Sequence, residues 1–284
     1  MGNNDLWFSL PVGDWADAAM RWMMDAWDGF FGVVAMILTS VCDALYFVFS
    51  TPPFWVIILI VAVIAFFASG WKLAVGSIIG MLFIYGMGQW DNAMSTLSMV
   101  VEASAIAVLF GVPLGILAAR VKWVSRITRP IMDFLQTMPA FVYLIPFVMI
   151  FSIGIVPGIV ATVLFSIAPA VRFTELGIRQ VDKSVVEAAY AFGAKPSRVL
   201  RQVELPLALP TIMAGINQVI MLALSMVVIA GMVGGGGLGN DIVQALQRVN
   251  IGLGAEAGLA VVVLAMILDR LTASFGKKSE RANR

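Results

Sequence analysis

The sequence predicts an all-α polytopic membrane protein of about seven spans, preceded by an amphipathic helix lying at the membrane interface. Three observations predict it. Of 284 residues, 61% are apolar and 12% charged, against roughly 45–50% apolar in soluble domains. The apolar residues gather in runs close to the ~20 residues that a crossing helix needs. When those runs are threaded as successive spans, sixteen of the eighteen Lys and Arg residues fall on one side, the bias that marks a cytoplasmic face.

Residues 1–52 form the N-terminal region. MGNNDLWFSL has neither a basic n-region nor an apolar h-region, so no cleavable signal peptide is expected. Leu6 stands where a myristoylation signal needs Ser or Thr. From 14 to 50, Asp14, Asp17, Arg21, Asp25, Asp28, Gly32, Thr39 and Asp43 recur every three or four residues. They make a polar stripe opposite Trp15, Trp22, Trp27, Phe30, Val34 and Ile37. An acidic stripe is costly in lipid and suits an interfacial helix, which is the reading taken here over a true span. Thr51-Pro52-Pro53 then breaks the chain.

Residues 53–90 hold two accessory spans, Phe54–Ser69 and Leu73–Gln89, the second rich in glycine and so suited to close packing. Residues 91–275 carry the remaining five. A third span runs over Met94–Ala119, with a kink expected at Pro113. The basic loop Arg120–Arg129 follows. A fourth, Ile131–Ile153, is interrupted by Pro139 and Pro146. A fifth covers Pro157–Ile178, a sixth Leu207–Val233 and the last Ala255–Leu271. Residues 276–284 make a basic tail. The basic distribution puts the N-terminus outside and the C-terminus in the cytoplasm. If residues 29–50 also cross, only the N-terminus changes side. The glycine run 234–239 lacks the Lys and Ser/Thr of a phosphate loop and follows no strand, so it reads as an outer turn.

The composition excludes several functions. The chain has no histidine and a single cysteine, Cys42. That removes His triads, His-rich metal sites and any internal disulfide. A G-x-x-x-x-G-K-[ST] sequence is absent, so the chain itself is not expected to hydrolyse ATP. Nothing in the charge distribution suggests nucleic acid.

One long water-compatible stretch interrupts the spans: Ser184–Pro206, SVVEAAYAFGAKPSRVLRQVELP. Ser184 and Glu187 fit a capping box. Gly193 suits the left-handed close of a first short helix, and Pro196 suits the first turn of a second. Pro206 is expected to end that helix. The result is a rigid, bent handle between two spans.

Glu187-Ala188-Ala189, Gly193 and Val203-x-Leu205-Pro206 resemble the EAA loop of permease subunits of bacterial ATP-binding-cassette importers, with Val203 in place of the usual Ile. The stretches 136–146, 171–182, 205–218, 224–239 and 250–270 look like permeases of the glycine betaine, proline betaine and choline type. The resemblance implies the transmembrane domain of a type I importer, with 184–206 as the coupling loop of a core domain 91–275. It implies a bacterial cytoplasmic-membrane location and work as two permease copies with an ATPase dimer and an extracytoplasmic substrate-binding protein. Because the sequence stops at Arg284, that binding protein is expected to be separate. No cofactor is expected on this chain; ATP and Mg would be used by the ATPase. The competing readings are an ion-coupled carrier or channel and a membrane scaffold without transport.

The substrate path has several candidates. Glu102, on one face of the third span with Ser95 and Ser98, could meet a cationic solute or simply bond a neighbouring helix. Gln136, Thr137, Met138 and Pro139 lie in the broken fourth span, and Tyr143 could offer its ring to a quaternary ammonium group. Asn217, Gln218 and Ser225 on the sixth span are path residues or interhelical hydrogen-bond formers.

Overall fold

A computed structural model describes residues 10–282, with side chains to residue 276. The readings made on residues 1–9 and on the side chains of the basic tail lie outside that range. Every regular element among the described residues is helical. In order they are α1 (Val12–Ser50), α2 (Phe54–Ser69), α3 (Trp71–Gly86), α4 (Trp90–Arg120), α5 (Lys122–Thr137), α6 (Ala140–Phe151), α7 (Ile155–Arg179), α8 (Lys183–Ala191), α9 (Pro196–Val199), α10 (Leu205–Ala230), α11 (Gly237–Arg248) and α12 (Ile251–Ala282).

The bundle is built around α7, which packs against both α4 and α10. Small residues explain why these helices come so close. A Cβ on Gly115 of α4 would lie 2.6 Å from Thr174 Cβ and 2.6 Å from the Val171 carbonyl oxygen. One turn earlier, a Cβ on Gly111 would lie 2.6 Å from Ala170 Cβ. Gly111 and Gly115 thus form a small-xxx-small face. On the other side of α7, Gly215 of α10 receives Phe173 in the same way. Between these helices Ala107, Ala168, Ala170, Val171 and Val219 are buried.

Four of the expected spans are single long helices: α4, α7, α10 and α12. Each contains a window apolar enough to cross a membrane. The fourth expected span is divided. The amphipathic α5 and the apolar α6 meet at 96°, because Pro139 holds the preceding Met138 extended, at φ −67° and ψ 134°. α5 lies against α4 and α7 rather than continuing α6. The accessory helices α2 and α3 have 16 residues each, short of the ~20 needed to cross. They pack on each other across a break at Gly70 and continue onto α12.

Residues 12–50 are one helix with a break at Trp27, where φ and ψ are −124° and 17°. The acidic stripe pointed to the interface, yet this helix contains a window of mean hydropathy 2.0, long and apolar enough to cross. The reason is how the charges fall. Asp14, Asp17, Arg21 and Asp25 precede the break, Arg21 pairing with Asp17. Only Asp28 and Asp43 follow it, and Cys42 beside Asp43 is buried against the bundle.

The glycine run is a tight turn. Gly234, Gly236 and Gly237 have φ of 83°, 74° and 60°, a region that glycine alone enters freely. The turn is anchored: Leu238 N–H donates to Thr96 Oγ1 at 2.9 Å. Nearby, Gln89 and Asn92 both donate to Asp241, at 3.1 and 2.7 Å.

Candidate functional site

The handle 184–206 stands out from the bundle as α8, a turn, and α9. Its first helix begins two residues earlier than the capping box suggested. Asp182 is the cap, its carboxylate accepting from Ser184 N–H at 2.9 Å. Two hydrogen bonds from Ser184, backbone first, hold that carboxyl below the usual range. Ser184 therefore occupies the first turn, and Glu187 points out, exposed.

The close of α8 is as the residues dictate. Gly193 sits at φ 79°, Ala194 N–H reaches back to Ala189 O at 3.1 Å, and Pro196 opens α9. Beyond it the expectation changes. Pro206 does not end a helix and start another; it lies in the first turn of α10. The chain passes from α9 to α10 through a π-helical turn, Leu200–Glu204, in which Leu205 N–H bonds Leu200 O five residues back. A π turn is wider than an α turn. The wider turn suits a chain where Pro206 has no N–H to give. The handle is therefore continuous with α10.

Buried charge fastens the handle to the bundle. Arg120, the last residue of α4, pairs with Glu204 in the π turn and reaches Pro196 O at 3.5 Å. Glu204 is 8% exposed. Arg179 bonds Ala118 O at 3.0 Å and Glu175 at 3.0 Å. Glu175 also receives Ser125 at 2.7 Å and Arg129 at 2.9 Å. Arg172 pairs with Asp133. The ends of α4, α5 and α7 and the root of the handle thus form one ionic frame.

The outward side of the handle is apolar where a solvated helix would be polar. Phe192 is 92% exposed, with Val185 and Tyr190 also exposed. Glu187 and Ala188 are exposed beside them, Ala189 and Val203 half-buried, and Leu205 and Pro206 half-buried at the root. Sequence reasoning passed over Phe192; its place beside the left-handed glycine was the signal.

The candidate path residues do not converge. Glu102 is buried against α1, with Cys42 and Asp43 nearby, and neither carboxylate oxygen has a hydrogen-bond partner. Tyr143 is buried too, its hydroxyl donating to Leu135 O. The ring packs edge-on to Phe165 at 6.0 Å, so it braces the α5–α6 bend. Asn217 donates to Asp269 at 3.0 Å and accepts from Thr272. That joins α10 to α12 and spends its polar atoms on packing. Gln136, Thr137 and Pro139 are exposed at the bend, with Met138 half-buried. Gln218 and Ser225, seven residues apart, lie exposed on one face of α10.

Comparison with known proteins adds to this geometry. A family model described as "Binding-protein-dependent transport system inner membrane component" matches residues 111–281. The glycine betaine/carnitine transport permease protein GbuB of Listeria monocytogenes is 45% identical over 96% of this chain and 98% of its own. The glycine betaine transport system permease protein OpuAB of Bacillus subtilis is 43% identical over 96% and 98%. The glycine betaine/proline betaine permease protein ProW of Escherichia coli is 42% identical over 97% and 78%. Among solved structures, a chain of the inward-facing MetNI methionine ABC transporter superposes with a TM-score of 0.58 at 25% identity. That match covers 69% of this chain and 96% of the other.

Proposed function

Because this chain belongs to the family of binding-protein-dependent transport system inner membrane components, we propose that it is the permease subunit of an ATP-driven importer whose cargo is a quaternary ammonium solute of the glycine betaine kind. The relatives named for glycine betaine transport span nearly the whole chain. Family membership sets aside the ion-coupled carrier and the scaffold.

The handle is the observation that carries the mechanism. An exposed aromatic at the tip of a short helix pair, on a root held by buried charge, is built to be gripped. Phe192 enters a groove of the ATPase subunit, with Glu187 and Ala188 beside it. Because α9 runs through the π turn into α10, displacement of the handle moves α10. The Arg120–Glu204 pair carries the same displacement into α4. Closure of an ATPase dimer around ATP and Mg then tilts these helices and turns the cavity outward. This chain supplies the lever and binds no nucleotide.

The path itself needs a second wall. Gln218 and Ser225 face out of the α10 surface, and an uncovered polar stripe in lipid is unfavourable. A second copy of the chain covers it, and the cargo passes between the copies. The handle and C-terminus lie in the cytoplasm, and the solute arrives on an extracytoplasmic binding protein.

Reconstitution in proteoliposomes with the ATPase and the binding protein tests the reading. Glycine betaine should stimulate ATP hydrolysis and accumulate only when ATP is present. Accumulation that follows an ion gradient without ATP would overturn it.

A further inference from the structure

Between them, α3 and α12 enclose an open, almost wholly apolar groove of about 410 Å³. Its walls include Leu73, Ile79, Phe83, Val263 and Met266. Two glycines of α3 shape it differently. A Cβ on Gly80 would strike Val263 Cγ1 at 2.8 Å, so Gly80 is where the helices touch. A Cβ on Gly76 would meet nothing within 4 Å, so Gly76 leaves the groove open one turn below.

The groove has a polar end. Arg270 of α12 lines it. Lys72 stands one turn before Gly76 on the same helical face. Among the described residues, neither cation takes part in an ion pair. Ser77 also lines the groove; it is 1% exposed and its hydroxyl has no hydrogen-bond partner. Its oxygen is fully enclosed, so Ser77 closes the floor of the groove and does not face an occupant.

Arg270 in the lining, Lys72 one turn before Gly76 and an apolar slot beyond form the polarity profile of one molecule. We propose that the α3–α12 groove holds an anionic phospholipid. Its phosphate sits at the Arg270 end with Lys72 within reach, and one acyl chain lies over Gly76. The negative charge is what selects it, since both cations lack a carboxylate. With the orientation proposed above, the lipid belongs to the inner leaflet. The accessory pair α2–α3 then acts as a lipid-mediated clamp on α12.

The test is native mass spectrometry of the full-length detergent-purified chain titrated with phosphatidylglycerol or phosphatidylcholine. Wild type should retain one phosphatidylglycerol in preference to phosphatidylcholine. Lys72→Gln and Arg270→Gln should each weaken retention roughly five-fold. Gly76→Leu should abolish it by filling the slot, without disturbing the α3–α12 contact at Gly80. A diazirine-bearing phosphatidylglycerol should label the peptide 71–86, and should cease to do so in Gly76→Leu. Equal retention of the two lipids, equal retention by Gly76→Leu, or cross-linking of a second copy at this groove would overturn the proposal. None of these outcomes bears on ATP-driven uptake, so the transport reading stands or falls separately.

Discussion

Arg120→Met tests the lever most directly. Arg120 ties the end of α4 both to Glu204 in the π turn and to the backbone at Pro196. The pair is neither fully buried nor free: the side chains are 30% and 11% exposed. Fully exposed pairs contribute about 0.2–1 kcal/mol, and breaking a fully buried one costs about 3–5 kcal/mol. This pair should therefore fall near 1–3 kcal/mol, also the range for hydrogen bonds to charged groups. Arg120→Met leaves Glu204 buried without its cation. Glu204→Met leaves Arg120 free to turn toward water, so it should cost less. The double substitution to Met removes both and restores an apolar contact.

A double-mutant cycle separates the strut from general damage. Thermal midpoints should give a coupling energy of about 1–3 kcal/mol. In proteoliposomes with the ATPase and binding protein, Arg120→Met should hydrolyse ATP at near the normal rate while solute moved per ATP falls several-fold. The double mutant should recover part of that ratio. Strictly additive effects in the cycle, or an unchanged transport-to-hydrolysis ratio in Arg120→Met, would refute the claim that this pair transmits force.

Three other perturbations have defined outcomes. Gly193→Val forces a β-branched residue to φ 79° at about 1–3 kcal/mol, so it should abolish ATP-dependent uptake while the thermal midpoint falls by no more than the equivalent of that strain. Phe192→Ala keeps the fold intact and should weaken ATPase attachment by more than 1 kcal/mol, read by co-purification or by the ATPase concentration giving half-maximal activity. Gly115→Val must push α4 and α7 apart against the Val171 carbonyl, so it should lower the thermal midpoint by the equivalent of about 1–3 kcal/mol or more, whereas Gly76→Ala, in open space, should not.

What the sequence could show of the fold was what local chemistry decides. The bend at Gly193, the start of α9 at Pro196 and the break at Thr51-Pro52-Pro53 each rest on one residue's backbone limits, and each is where the residues put it. Asp182 was missed as the cap because the Ser184–Glu187 pattern satisfies the same rule two residues later, and only geometry says which oxygen reaches the amide. The α5–α6 bend was half visible: Pro139 marks a break, but its angle depends on α5 packing its apolar face on α4 and α7. Gly111 and Gly115 were not singled out, because they lie in a run that reads equally well as uniform apolar helix. The partner of Arg120 was not legible, because Glu204 is 84 residues away and nothing local selects it.

The polar residues of the spans show why hydropathy alone does not find a path. Asn217, Gln218 and Ser225 look alike in sequence, three polar residues in one apolar helix. Helical geometry separates them: Asn217 turns to α12 and is satisfied by Asp269 and Thr272, while Gln218 and Ser225 stay exposed, Ser225 donating to Met221 O one turn back and keeping its lone pairs open. A side chain that has met its hydrogen-bonding needs inside one chain is a poor contact for a moving solute, because binding the solute would first break those bonds. Glu102 is set apart from the path for a different reason: it is unpaired, but α1 covers it. On the two-copy reading proposed above, the face that remains is the one a second copy would cover, and the cargo route and the pairing would then be a single structural requirement.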